Sequence, residues 1–199
     1  MRYNELCTNG ALHMMDETEQ KIMNAAAALF AEKGLRFTMQ ELASSLHMSK
    51  KSIYKLYDNK EDLMIRLIED GFTMIHEQKN RIIASDLNTV DKLKQEMIAL
   101  PDQFALINWS RLNELEEKYP RAAARLQDEL SRNWESDFAL MDEGIAKGEL
   151  RPFNKNLFKL MFTATVESFL RNEQIAEGVI SYQDALAQMI DILIDGIRA

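Results

Sequence analysis

Residues 37–60 read FTMQELASSLHMSKKSIYKLYDNK, and the fold follows from how this stretch is punctuated. Thr38 with Glu41 three residues on is a capping box, in which hydroxyl and carboxylate each satisfy a free amide at a helix start. Phe37 and Leu42 stand at the two positions of a hydrophobic staple. The helix so opened stops near Leu46 after about two turns. Ser49 then caps a second short helix, SKKSIYKLY, after a linker of only Leu46, His47 and Met48. Two short helices across so tight a turn form a helix-turn-helix unit. Ile53 is expected to point back toward Phe30, Leu42 and Leu46, leaving Lys50, Lys51 and Ser52 facing outward.

Working outward, the chain is a run of helices with no strand-like alternation. Upstream, TEQKIMNAAAALFAEKG puts Ile22, Ala25, Ala26, Leu29 and Phe30 on one face. Thr18 or Asp16 caps its start, and Gly34 stands where a left-handed residue ends a helix. Downstream, Asn59 with Asp62 opens KEDLMIRLIEDGFTMIHEQKNRII, which breaks near Ser85–Asn88. Five further helices are expected: Val90–Ala99, one from Pro101 to Leu115 or Lys118, one from Pro120 to Gly148, LFKLMFTATVESFL, and YQDALAQMIDILIDGI capped by Ser181. The expected fold class is all-α, about nine helices and no sheet.

Composition narrows the function. The 199 residues are 46% hydrophobic and 28% charged, with 7 Gly, 3 Pro and a single cysteine, Cys7, which cannot form an internal disulfide. No apolar run nears the roughly 18 residues of a membrane helix, and a cytoplasmic protein is expected. His13, His47 and His76 are scattered, so neither a metal cluster nor a catalytic constellation is expected; the chain reads as no enzyme, with no cofactor. The net charge is −8, yet residues 33–60 hold six Lys/Arg against two acidic residues. A basic island on an acidic body suits contact with a polyanion, though a lysine-rich solvated face has the same composition.

The parts AAxxLFxEKG, a Thr-capped second helix and SKxxIYxxYxxKExL occur in order within residues 18–66. In this the stretch resembles the N-terminal DNA-binding domain of TetR-type transcriptional regulators. The resemblance implies a helix-turn-helix DNA-binding domain over 16–62, a ligand-binding and dimerisation domain over 63–199, and residues 1–15 as a mobile extension. A major groove about 12 Å wide admits one helix, so Lys50, Lys51 and Ser52 are expected to meet base edges or phosphates. Thr38 and Ser49 are helix caps that also reach phosphate. The resemblance assigns phosphate contacts to Tyr54 and Lys60 and makes Tyr57 a core aromatic; Lys55 is read as a backbone contact, with a solvated lysine as the alternative. Lys60 opens its helix against the dipole, which a phosphate neighbour would explain. His47 replaces the glycine common in the family's turn, and Leu56 stands where many members carry Tyr or His.

The last two long helices have more apolar surface than one core-facing stripe needs. A homodimer is expected, with Leu157, Met161, Phe169, Leu186, Ile190 and Leu193 at a four-helix interface. The resemblance further implies an effector pocket, for which Met97, Phe104, Ile107, Trp109, Trp134, Phe138, Met141 and Phe162 are candidates. Adaptable Met and flat aromatics suit an apolar or aromatic effector. Glu135 and Asp137 are either solvated or placed to neutralise a cationic ligand. The function expected is a ligand-responsive repressor, binding a palindromic DNA operator as a homodimer, without membrane contact. The competing reading is a helical interaction module whose basic segment binds an acidic protein.

Overall fold

The computed structural model describes residues 17–99, 112–176 and 179–199. The expected extension 1–15 and the pocket candidates Phe104, Ile107 and Trp109 lie outside the described residues. The first three helices are α1 (Glu17–Lys33), α2 (Met39–Ser45) and α3 (Lys50–Tyr54), with a 3₁₀ turn over Gly34–Arg36. Gly34, at φ +58°, ends α1 in the left-handed region that glycine enters without cost. Ile22 and Ala26 of α1, Leu42 and Ala43 of α2, and Ile53 of α3 are fully buried together. Ile22, Leu42 and Ile53 each contribute about 1.5–3 kcal/mol by leaving water. Short helices with little stability of their own are thus held by one shared core.

Helix α4 (Lys60–Ile83) is the spine of the molecule, about 36 Å long. Its first half closes the core of the head with Leu63, Met64, Leu67 and Ile68, and it runs unbroken through buried Gly71. Its second half enters the body, formed by α5 (Thr89–Met97), α6 (Leu112–Lys118), α7 (Pro120–Ser131), α8 (Glu135–Ala146), α9 (Lys155–Phe169), a short α10 (Glu173–Ala176) and α11 (Tyr182–Asp195). Helix α7 lies along α4, α8 along α5, and α11 packs on both α5 and α9. Leu93, Met141, Leu150 and Ile190 are sealed inside. Among the described residues there is no strand, only one isolated bridge between Leu150 and Arg198.

Two expectations are corrected here. The helix read from Pro120 to Gly148 is two helices, α7 and α8. Asn133 at φ +58° turns the chain between them, a backbone state that Asn tolerates better than most residues. Leu186 and Ile190 are buried within their own chain against α5, so they are not free to meet a second copy. Phe169 is half-buried with its ring against Tyr182, and Leu193 is half-buried too. The exposed apolar stripe is instead Leu157, Leu160 and Met161 of α9 with Ile192 of α11, the last 74% exposed. Both helices are apolar on two sides, and periodicity alone does not say which side the core takes.

Candidate nucleic-acid interface and effector cavity

The head presents α3 to solvent because its cap and its core anchor act from opposite ends. Ser49 is extended, and its Oγ accepts from the Ser52 amide at 3.1 Å, fixing the first turn. Ile53 is fully buried and Tyr57 nearly so, which turns Lys50, Lys51, Tyr54 and Lys55 outward, with Ser52 half-exposed among them. The Lys50 ammonium lies 6.0 Å from the Tyr54 ring centre, so cation and ring form one outward feature. Leu56, also exposed, supplies no polar group at its position.

Thr38 closes the capping box of α2: its Oγ1 accepts from the Glu41 amide at 3.1 Å, and its own amide donates to Glu41 Oε2 at 2.7 Å. Lys33 reaches the other oxygen of Glu41 at 2.8 Å. This lysine, and then the Thr38 amide, lower the Glu41 carboxyl to about 2. Between α2 and α3, His47 takes φ +52° while its amide and that of Met48 return to Ser44 and Ala43. The turn thus keeps a left-handed geometry without glycine.

Lys60 is placed differently from the expectation. Its ammonium folds back over the Phe37 ring at 4.0 Å and donates to the carbonyls of Leu35 and Phe37. Burial, and then Lys118 nearby, lower it to about 8. The orphan carbonyls at the end of the 3₁₀ turn account for a cation at this helix start, which the dipole argument alone had left to phosphate. Directly beside it, the Glu61 carboxylate accepts from the Arg121 amide at 2.7 Å and the Arg121 Nε at 2.9 Å, while Arg121 Nη2 donates to Asp62 at 2.7 Å. The first turn of α4 is therefore fastened to the first turn of α7.

The other end of α7 borders a cavity of about 140 Å³ in the body. Its wall is mostly apolar, with Phe72 and Ile75 from α4, Leu126 and Leu130 from α7, and Phe162 and Val166 from α9. Of the expected pocket residues that are described, Met97, Trp134 and Phe162 line it. Phe138 lies tilted against Trp134, the ring centres 6.1 Å apart, and Met141 is sealed in the core; neither lines the cavity. Both share α8 with Asp137, which does line it, whereas Glu135 is exposed.

The sequence reading missed His76, Lys79 and Glu96 in this wall. Lys79 holds Asp137 by both oxygens at 3.0 and 2.9 Å, and Ser136 donates to Glu96 at 2.8 Å. His76 meets Asn133 at 3.2 Å, and burial, then Lys79, depress its imidazole below the ordinary value. A signal was available: Lys79, Glu96 and Asp137 each fall on the inward stripe of their helix, continuing Gly71–Ile75, Val90–Leu93 and Leu140–Met141. A charge in an apolar stripe is seldom buried without a partner.

Among the described residues no group of His, Cys, Asp or Glu is arranged to hold a metal ion, and no helix is long and apolar enough to cross a membrane. Comparison with known proteins agrees with the geometry. Residues 22–67 match the family model of bacterial regulatory proteins of the tetR family. The chain is 28% identical over 182 residues to YvaF of Bacillus subtilis (strain 168), an uncharacterized HTH-type transcriptional regulator, covering 91% of this chain and 96% of that one. A transcriptional regulator from Cytophaga hutchinsonii ATCC 33406 superposes with a TM-score of 0.69 at 20% identity, covering 92% and 100% of the two chains. FadR from Bacillus subtilis, solved with stearoyl-CoA, superposes at 0.59 and 20% identity, covering 90% and 99%. A helix-turn-helix head that matches the tetR family model over residues 22–67, on a helical body whose fold is that of solved regulators, makes this chain similar to TetR-type transcriptional regulators.

Proposed function

We propose that the chain is a ligand-responsive repressor that binds a roughly palindromic duplex as a homodimer and leaves it when a small apolar or aromatic effector fills the body. The observation that carries this reading is α3: a capped helix with Lys50, Lys51 and Tyr54 outward and Ile53 locked behind. Lysine at that position donates to guanine edges or to phosphate, and the amides at the starts of α2 and α3 favour phosphate oxygens. Thr38, Ser49, Ser52 and Lys55 complete the surface; Lys60 contributes from behind by bracing the turn. The head is residues 16–62 and the body 63–199, with α4 shared between them.

The exposed stripe of Leu157, Leu160, Met161 and Ile192 supports a two-fold pairing through α9 and α11. A release path is supported by α7, whose Arg121 end grips Glu61 and Asp62 while its Leu126–Leu130 end borders the cavity. Midway, Arg125 joins Glu69 of α4 to Asp128 and Glu129. An effector that prefers a shifted α7 thereby disfavours the DNA-binding position of α4. FadR, with its stearoyl-CoA, is a protein of this fold that holds an apolar chain. The test is a polarisation titration with duplex from the gene's own upstream region against unrelated duplex. A strong preference for the former, falling steeply with salt, is expected. Equal weak binding to both overturns the reading and favours an acidic protein as partner.

A further inference from the structure

One carboxyl in the cavity wall shares its only balancing charge with a second carboxylate, among the described residues. Asp137 is matched by Lys79, Glu129 by Arg125, and Arg132 by Asp128 at 2.7 Å. Glu96 is 1% exposed and meets Lys79 only at 3.6 Å, a lysine that Asp137 holds at 2.9 Å. Its Oε1 takes the Ser136 hydroxyl, while Oε2 has no hydrogen-bond partner among the described residues. A buried carboxylate left so costs several kcal/mol in principle, and proteins seldom keep one without use. Burial, and then Asp137, push the Glu96 carboxyl above its ordinary value, and a cationic partner would oppose both effects. Around it stand the rings of Phe72, Trp134, Phe162 and Tyr182, whose faces attract cations.

We infer that the effector is a cation: a ring-sized apolar compound bearing one protonated amine, with the ammonium against Glu96 and the ring among Phe72, Trp134 and Phe162. This rests on the cavity being the effector site. The ammonium supplies both the donor that Oε2 lacks and the charge that Lys79 does not spare. A space of about 140 Å³ holds about one aromatic ring. An anionic head would meet the poorly compensated Glu96 and be repelled by it.

The experiment is calorimetric titration of the full chain with three probes of one shape: 2-phenylethylammonium, 2-phenylethanol and phenylacetate. The cation should bind at least tenfold tighter than the alcohol, and phenylacetate weakest. Glu96→Gln preserves volume and the Ser136 bond; it should bring the cation to within about twofold of the alcohol while leaving the alcohol unchanged. A melting midpoint for Glu96→Gln at or above the parent's confirms the variant is folded, and Ser136→Ala, which leaves the charge in place, should keep the cation's advantage. A cation no tighter than the alcohol, or an advantage that survives Glu96→Gln, overturns the inference. If the alcohol or the acid instead binds best and frees DNA, the effector cavity stands and only its ligand class falls. If none of the three binds or affects the DNA complex, both fall.

Discussion

The head and the body of this chain treat charge in opposite ways. In the head, the cations Lys50, Lys51 and Lys55 stand in solvent around an apolar core of Ile22, Leu42 and Ile53, and the Glu41 carboxylate sits at the rim with Lys33. In the body, Lys79, Glu96 and Asp137 are drawn inside, against a cavity lined by aromatic rings. Charge held outward suits a polyanion, which supplies the opposite sign from solvent. Charge held inward suits a molecule small enough to be enclosed, and its energetics are those of a dry site. One chain thus holds charge in two settings of different physics, joined by α4 and by the clamp of Arg121 on Glu61 and Asp62.

The sharpest way to separate the two regions is through the exposed stripe of the body. Leu160→Asp with Ile192→Asp should give monomers by light scattering, with helicity unchanged because neither side chain is in the core. Losing the second head should cost at least a hundredfold in DNA affinity, since paired sites gain 10²–10⁴ by linkage. A monomeric parent at micromolar concentration breaks the comparison outright. Next in size, Lys50→Ala with Lys51→Ala should weaken DNA binding about a hundredfold by polarisation, at roughly 1–2 kcal/mol each. Thermal stability should be unchanged, as both side chains are solvated. A comparable loss of stability would mean that the head's lysines are structural.

The buried carboxyl of the body gives a pH prediction of definite sign. With the folded Glu96 raised above its unfolded value, the folded state keeps a proton that the unfolded state releases as pH passes the ordinary glutamate value upward. Stability contributed by this group is therefore present at low pH and lost as pH rises through the raised value. Glu96→Gln removes the dependence, and its melting midpoint should exceed the parent's by roughly 3 °C at pH 8, the shift about 1 kcal/mol produces in a chain this long. The two should converge near pH 4. Glu41 in the head runs the other way: lowered to about 2, it stabilises above its ordinary value, and that contribution is lost as pH falls from there toward about 2. The smallest effect is expected at His47→Gly, where relief of a left-handed residue should raise stability by about 0.5 kcal/mol in urea, net of the added freedom of the unfolded chain.

The head was legible in the sequence because its rules are local. Capping boxes, a staple and Gly34 act over three or four residues, so Thr38, Ser49 and Asn59 could be placed as caps from the string alone, and the structure has each of them accepting from the amide three residues on. Lys60 was less legible, since its acceptors Leu35 and Phe37 lie more than twenty residues away. The body depends on such distant pairings throughout. Lys79 and Asp137 are 58 residues apart, and the side of α11 that faces α5 is not written in α11 itself. That is why Leu186 and Ile190 could be read as surface when they are core, and why Met141 could be read as pocket when it is sealed. Even there, charges in apolar stripes marked the cavity in advance for a reader weighing each helix's inward face.

The most direct test of the paired heads is hydroxyl-radical footprinting of the full-length protein on its own upstream duplex. Two protected patches on one face, with centres about one helical turn or a multiple of it apart, are predicted, both vanishing together in the Leu160→Asp, Ile192→Asp chain. A single patch, or protection that survives in that monomer at the same protein concentration, would contradict the account.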